Sequence, residues 1–228
     1  MIDYLPNILL LLLFLYVVMT LGYVAYSWRQ KRRAERAAPP RGAFTAISTG
    51  RLHYLDCGSG PAILMVHGLG ANLANFDCGL IDDLAKDFRV VAIDRPGSGY
   101  SERLNSTPAN IRAQARQVAE VIEKLEIENP LVVGHSLGGA ISLALALEKP
   151  ELVRGLALLA PLSLPVKEMA PVFDDYRIRS DFYRRVLSWT TAIPHMIRHP
   201  EPVRQQIFGP DPIPADFPIQ GGGILGLR

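Results

Sequence analysis

The chain has 228 residues, of which 49% are hydrophobic and 20% charged, and this balance excludes a disordered acidic or basic chain. Lys and Arg number 24 against 22 Asp and Glu, so the basic excess of nucleic-acid binders is missing and no nucleic-acid partner is expected. The two cysteines, Cys57 and Cys78, are too few for a disulfide framework, and no Cys/His cluster has zinc spacing, so neither a metal nor a cofactor is expected.

The N-terminal run 5–28 is almost wholly apolar, and no charged side chain occurs in it before Arg29. About 20 apolar residues cross the hydrocarbon core of a bilayer as a helix, so residues 1–28 are predicted to be a transmembrane anchor. A cleavable signal peptide is the alternative, but it would carry positive charge before a shorter apolar run, and here only Asp3 precedes it. Basic residues follow at 29–33, so the positive-inside rule predicts a single-pass protein with residues 29 onward in the cytoplasm.

A basic linker is predicted at residues 29–42, before a core that extends over 43–161. Segments 44–48 and 51–56 flank a Thr-Gly turn and predict a β-hairpin. Four short apolar runs bounded by turn residues then follow, as is typical of strands buried on both faces of a parallel sheet. These runs are residues 62–66, 89–93, 130–133 and 153–159.

Two helical patterns lie among the apolar runs. Apolar residues at helical spacing mark one face of residues 110–127, and 137–147 predicts a buried helix that ends before Pro150. Strands alternating with helices predict an α/β fold with a mostly parallel sheet flanked by helices. Ligands of such folds bind at the carboxyl ends of the strands, so the segments after each strand are the expected place for a site.

The segment after the third of these runs carries a G-x-S-x-G pattern between a strand and a helix. Its residues are Gly134-His135-Ser136-Leu137-Gly138. A serine on so tight a turn projects its hydroxyl above the sheet edge, and Gly134 and Gly138 leave room for the close backbone. Ser136 is therefore predicted to be a nucleophile. The N–H of Leu137, at the start of the helix, is predicted to be one donor to an oxyanion.

Two further motifs follow the earlier strands. After residues 62–66 comes the small-residue turn His67-Gly68-Leu69-Gly70, in which the Leu69 N–H is the predicted second oxyanion donor. After residues 89–93 comes Asp94-Arg95-Pro96-Gly97-Ser98-Gly99-Tyr100-Ser101.

These three motifs, in this order and each after a strand, resemble the α/β-hydrolase fold superfamily over about residues 43–160. The resemblance implies a serine nucleophile acting on a small-molecule ester, amide, thioester or related carbonyl compound. Epoxide hydrolases and haloalkane dehalogenases of the superfamily carry Asp at the nucleophile position, so Ser136 argues against both chemistries. Cofactor-free haloperoxidases and carbon–carbon bond hydrolases share the serine and remain open.

The resemblance also implies supporting roles for residues around the motifs. His67 and His135 occupy positions that shape the backbone, and Asp94 organises its own loop. His53, in the predicted hairpin, is interpreted as a half-exposed strand residue.

The superfamily order of the triad is Ser, then Asp or Glu, then His, and the acid and the His follow later strands. Residues 162–228 instead resemble a helical cap, so the core is expected to be C-terminally incomplete, with the acid and base beyond residue 228 and this chain alone nearly inactive. An internal alternative pairs an acid of this stretch with a late histidine. Its members are Asp174, Asp175, Asp181, His195 and His199.

The sequence thus predicts a membrane-anchored serine hydrolase, for which the anchor makes a lipophilic ester a plausible substrate. A different class remains open, namely a truncated, non-catalytic binding protein built on the same core. In that case the sheet edge left by missing strands would need a partner to cover it.

Overall fold

The structure, a computed structural model, describes residues 4–37, 39–76, 79–104 and 106–164. These residues fall into two compact units, one reaching Arg36 and the other beginning at Ala37. Several predictions lie outside the described residues. They concern Cys78, Asp174, Asp175, Asp181, His195 and His199, and the predicted cap from residue 165 onward.

The first unit contains helix α1, Leu5–Ala37. Its segment Pro6–Arg29 has 24 residues and a mean hydropathy of 2.6, and none of its apolar 18-residue window is buried, so it is long and apolar enough to cross a membrane. A signal sequence near an N-terminus would pass the same test. The helix continues beyond the predicted end of the anchor at Trp28, because the following Arg, Lys, Gln, Ala and Glu residues are good helix formers. Pro39 follows the helix and cannot continue it.

Six strands form one sheet in the second unit, in the order β1-β2-β4-β3-β5-β6. The strands are β1 Ala43–Ile47, β2 Gly50–Cys57, β3 Ala62–Val66, β4 Arg89–Ile93, β5 Leu131–His135 and β6 Gly155–Leu159. Strand β2 pairs antiparallel with both β1 and β4, whereas β3, β4, β5 and β6 pair parallel. The predicted hairpin and mostly parallel sheet are confirmed.

Three helices accompany the sheet in the described part of this unit: α2 Leu80–Leu84, α3 Ile111–Lys124 and α4 Leu137–Glu148. Helix α3 begins where the Asn110 side chain accepts a hydrogen bond from the Ala113 N–H, the usual side-chain cap of a helix start. Helix α2 was not predicted, because five residues are too few to show a helical period.

The core lies on both faces of the central strands. Strand β3 is buried at all five positions, and its alternate residues enter different clusters, Leu64 with α3 and α4 and Met65 with α2. Because β3, β4 and β5 are parallel and adjacent, their carboxyl ends meet at one edge. The three sequence motifs therefore converge at that edge.

Candidate active site

Ser136 lies on the turn between β5 and α4 with φ 52° and ψ −117°, a left-handed backbone that a residue with a side chain rarely adopts. Such a conformation costs on the order of 1–3 kcal/mol and persists only where its surroundings enforce it. Here the Ser136 N–H donates to the Leu159 carbonyl at 3.0 Å, and its carbonyl accepts from Gly139 and Leu162, both at 2.9 Å. Strand β6 and the chain after it thus hold the strained turn in place.

The glycines of the turn allow the close backbone contacts that the pattern predicts. A Cβ at Gly138 would lie 2.1 Å from the Val66 carbonyl oxygen, and one at Gly134 would lie 2.7 Å from the Cα of Gly139. Neither site can accept a side chain without a backbone shift. The start of α4 is consequently seated directly on the end of β3.

The loop after β3 lies beside the serine. A Cβ built on Gly68 would be 3.0 Å from the Cβ of Ser136 and 3.2 Å from Nδ1 of His135. Within the described part of the chain, the N–H groups of Leu69 and Leu137 have no protein acceptor. The structure therefore brings the predicted nucleophile and the segments bearing both predicted oxyanion donors to one corner of the sheet edge.

His67 is fully buried, and its ring hydrogen bonds define its tautomer. Its Nε2 accepts from the Arg95 N–H at 3.0 Å, so the proton resides on Nδ1, which donates to the Gly68 carbonyl at 2.8 Å. Burial and the neighbouring Arg95 charge lower the pKa of His67 to about 3. The ring is neutral at physiological pH, and both of its nitrogens are hydrogen-bonded. His67 therefore fixes the backbone of the loop after β3 and is not available as a base.

Arg95 is buried and binds the same loop. Its Nε donates to the His67 carbonyl at 2.8 Å and its Nη2 to the Gly68 carbonyl at 2.7 Å, while Nη1 donates to the Gln114 side chain of α3. A trans peptide places its N–H opposite its carbonyl. Because the Gly68 carbonyl points at Arg95 and His67, the Leu69 N–H of that peptide points away from them.

Sequence reasoning assigned no role to Arg95. The available signal was its position in the motif directly after β4, the strand that pairs with β3. An arginine there is within reach of the turn that follows β3.

The prediction that His53 is half-exposed is wrong, since only 2% of it is exposed. Its Nδ1 lies 2.7 Å from Oδ2 of Asp94 and its Nε2 lies 2.6 Å from the Arg41 carbonyl. Both ring nitrogens thus lie at hydrogen-bond distance from an oxygen acceptor. The segment before β1 covers it, which the alternation of residues along β2 does not reveal.

Asp94 organises its loop, as the resemblance implied. Beyond His53, its carboxylate accepts from the Leu73 N–H and the Tyr100 N–H, both at 2.8 Å. It therefore links the segments after β3 and β4 to the hairpin. With these partners, the His53–Asp94 pair is structural and does not form a base for Ser136.

His135 is half-buried, and loss of solvation lowers its pKa. Among residues 4–37, 39–76, 79–104 and 106–164, no hydrogen bond joins Ser136 to a histidine ring. The same residues contain no group of three or more His, Cys, Asp or Glu side chains that could hold a metal. For catalysis, the described residues therefore supply the Ser136 hydroxyl and the N–H groups of Leu69 and Leu137, which have no acceptor among these residues.

The sequence profile of the alpha/beta hydrolase fold matches residues 61–191. A 2-hydroxymuconate semialdehyde hydrolase of Pseudomonas sp. strain CF600 is 40% identical over 123 residues, which cover 52% of this chain and 43% of that protein. Haloalkane dehalogenase 2 of Mycobacterium tuberculosis is 39% identical over 111 residues, 49% of this chain and 38% of that protein. The chain thus spans about two-fifths of these relatives.

Among solved structures, that of a membrane phospholipase A is 24% identical with a TM-score of 0.59, and the match covers 99% of this chain and 69% of that one. The structure of the epoxide hydrolase CorEH is also 24% identical with a TM-score of 0.59, over 69% of this chain and 58% of that one. Both likenesses support the fold alone.

Proposed function

The chain belongs to the α/β hydrolase fold family, and from that premise we propose that it is a membrane-anchored serine hydrolase of an ester or related carbonyl compound. The observation that carries the proposal is Ser136, held in a strained backbone between a buried strand and a helix, beside the glycine loop after β3. Strain maintained by surrounding hydrogen bonds is characteristic of functional positions.

In the proposed reaction, a general base takes the hydroxyl proton of Ser136 while Oγ bonds to the carbonyl carbon of the substrate. Negative charge develops on the carbonyl oxygen, and the N–H groups of Leu69 and Leu137 donate to it. The intermediate collapses as the bond to the leaving alkoxide breaks, and that oxygen takes the proton from the base. Water releases the acyl group from the serine by the same steps.

The base and its orienting acid are proposed to come from outside the described residues. The family order places both after the serine in the chain. The expectation stated above, that they lie beyond residue 228, remains a prediction, as does the internal alternative with His195 or His199.

Helix α1 supports the anchor and the lipophilic substrate in this proposal. An apolar segment of 24 residues spans roughly 36 Å as a helix, more than the ~30 Å hydrocarbon core. The basic residues after it favour a cytoplasmic location for the rest of the chain. A site tethered beside a bilayer meets lipophilic esters at high local concentration.

Carbon–carbon bond hydrolysis is a second candidate, favoured by the likeness to the 2-hydroxymuconate semialdehyde hydrolase. The substrate in that name contains no ester or amide bond, so its hydrolysis breaks a carbon–carbon bond. A serine with an oxyanion hole can serve both reactions, because both pass through a carbonyl that gains negative charge.

The decisive experiment treats the protein in its native membranes with a fluorophosphonate, which modifies activated serines, and maps the modified peptide by mass spectrometry. We expect modification of Ser136 in the wild type and none in Ser136→Ala. The control variant Ser59→Ala, in an exposed turn before β3, should react like the wild type. A folded protein that remains unmodified at Ser136 would favour the non-catalytic binding protein instead.

Turnover assays then separate the remaining alternatives. An aryl butyrate and 2-hydroxymuconate semialdehyde distinguish ester from carbon–carbon hydrolysis by their kcat/KM values. For residues 1–228 alone we expect almost no turnover of the aryl ester. Turnover that is lost in Ser136→Ala and also in the double variant His195→Ala/His199→Ala would instead place the base within this chain.

A further inference from the structure

Four arginines of helix α1 lie on one side of it. It extends past the apolar segment Pro6–Arg29 to Ala37 without a break. Arg29, Arg32, Arg33 and Arg36 are spaced three and four residues apart, so they share one helical face about 100° wide, and all four are exposed. We refer to these four residues as the arginine stripe.

Within the described residues of helix α1, no acidic side chain lies on the face of the arginine stripe. The acid in this part of the helix is Glu35, and its position is rotated by roughly 100° from the centre of the arginine stripe at 3.6 residues per turn. Four like charges on adjacent turns repel one another, by an amount similar to the gain of an opposite pair. Such a face is stabilised by an external polyanion.

Trp28 marks the depth at which the arginine stripe begins. The guanidinium carbon of Arg32 lies 3.9 Å from the centre of the Trp28 ring, and 51% of Trp28 is exposed. Exposed tryptophans favour the boundary between hydrocarbon and headgroups. From Arg29 to Arg36 the helix rises roughly 10 Å, which is comparable with the thickness of one headgroup layer.

We propose that the arginine stripe binds the headgroups of anionic phospholipids in the leaflet where the apolar segment ends. This inference rests on the membrane anchor of the proposed function. The planar guanidinium presents paired N–H donors that match two oxygens of one phosphate. Lipid headgroups, not soluble phosphates, are the proposed ligand because the apolar segment and the arginine stripe belong to one continuous helix. That helix places the arginines at the depth of the headgroups.

The test measures which lipids surround Trp28 when the full chain is reconstituted in bilayer nanodiscs. Trp189→Phe leaves Trp28 as the only tryptophan, since the chain has two. Phosphatidylcholine discs receive equal mole fractions of brominated phosphatidylglycerol or brominated phosphatidylcholine, both of which quench tryptophan on contact. We expect the anionic lipid to quench about two-fold more strongly or better at about 0.1 M salt, and the preference to vanish near 1 M salt.

Matched variants assign the preference to the arginine stripe. Changing its four arginines to Gln should abolish the preference, whereas changing all four to Lys should retain most of it. The control changes four exposed basic residues of the second unit to Gln and should behave like the wild type. Its positions are Lys86, Arg103, Arg112 and Lys124.

Three results would overturn the inference: equal quenching by the two lipids in the wild type, an unchanged preference in the Gln variant, or a preference lost in the control. Preferential binding of a DNA duplex over anionic lipid would assign the arginine stripe to nucleic acid and overturn it as well. Alkaline carbonate extraction separates the two proposals. A chain stripped from the bilayer refutes the anchor and this inference together, whereas an inserted chain without lipid preference refutes this inference alone.

Discussion

Replacing His53 by Leu should destabilise the protein severely. The His53–Asp94 pair has a separation of 2.7 Å, with side-chain exposures of 3% and 1%. The variant leaves the Asp94 carboxylate buried with two backbone N–H donors but without its His53 partner. Leaving a buried carboxylate without its partner typically costs about 3–5 kcal/mol. That is a large share of the ~5–15 kcal/mol by which domains are stable.

An exposed pair of residues with a nearly equal separation between its charged atoms serves as the control. Lys86 and Asp83 are 2.6 Å apart but 70% and 74% exposed. Water screens this pair, so Asp83→Asn should leave stability unchanged within error. The comparison tests the effect of burial, because both pairs contain an Asp carboxylate at a closely similar distance from a nitrogen of its partner.

The measurement is guanidinium unfolding of the detergent-solubilised chain at pH 7, followed by circular dichroism. The double variant His53→Leu/Asp94→Asn removes the stranded charge and should lose less than the sum of the two single variants. Equal losses for His53→Leu and Asp83→Asn would refute the reasoning. Strict additivity in the double variant would show that the two buried groups do not interact as described.

Three other predictions concern the site. Gly138→Ala should destabilise the fold by about 2 kcal/mol or more, since its Cβ would lie 2.1 Å from the Val66 carbonyl oxygen. The variant should also prevent fluorophosphonate modification of Ser136. Normal modification together with an unchanged free energy of unfolding would contradict this. Arg95→Lys, with fewer bonds to the loop carbonyls, should lower kcat by up to about 10²-fold at constant KM, whereas an effect on KM alone would argue against a positioning role. The lowered pKa of His67, about 3 when folded against 6.5 unfolded, contributes stability that is complete above pH 6.5 and lost as the pH falls towards 3. The free energies of unfolding at pH 6 and pH 5 should therefore differ by about 1 kcal/mol more in the wild type than in His67→Gln, and equal pH dependences would show that His67 does not titrate in this way.

The strands of the sheet were predicted well because each is a short apolar run bounded by turn residues that are its neighbours in the chain. The apolar run 62–66 coincides with β3, whose residues are all buried, and 89–93 coincides with β4. The turn at Ser136 was equally accessible, since its glycines, the preceding strand and the following helix are contiguous in the chain. Such elements need no information about distant residues.

The features that were missed depend on distant contacts. Burial of His53 requires the Arg41 carbonyl 12 residues away and the Asp94 carboxylate 41 residues away. The hydrogen bonds from Arg95 to the loop after β3 join residues that are 27 and 28 positions apart in the sequence. Neither contact leaves a periodic trace in the sequence, so only the assembled sheet reveals them.

The hydrogen bond from the Leu162 N–H to the Ser136 carbonyl ties the turn of the nucleophile to the chain just after β6. The Ser136 N–H in turn donates to the Leu159 carbonyl at the end of β6. Among the described residues, the backbone bonds to Ser136 from outside its own turn come from the end of β6 and from Leu162. A shift of β6 along its neighbour β5 would therefore move the backbone of the nucleophile as well as the edge of the sheet.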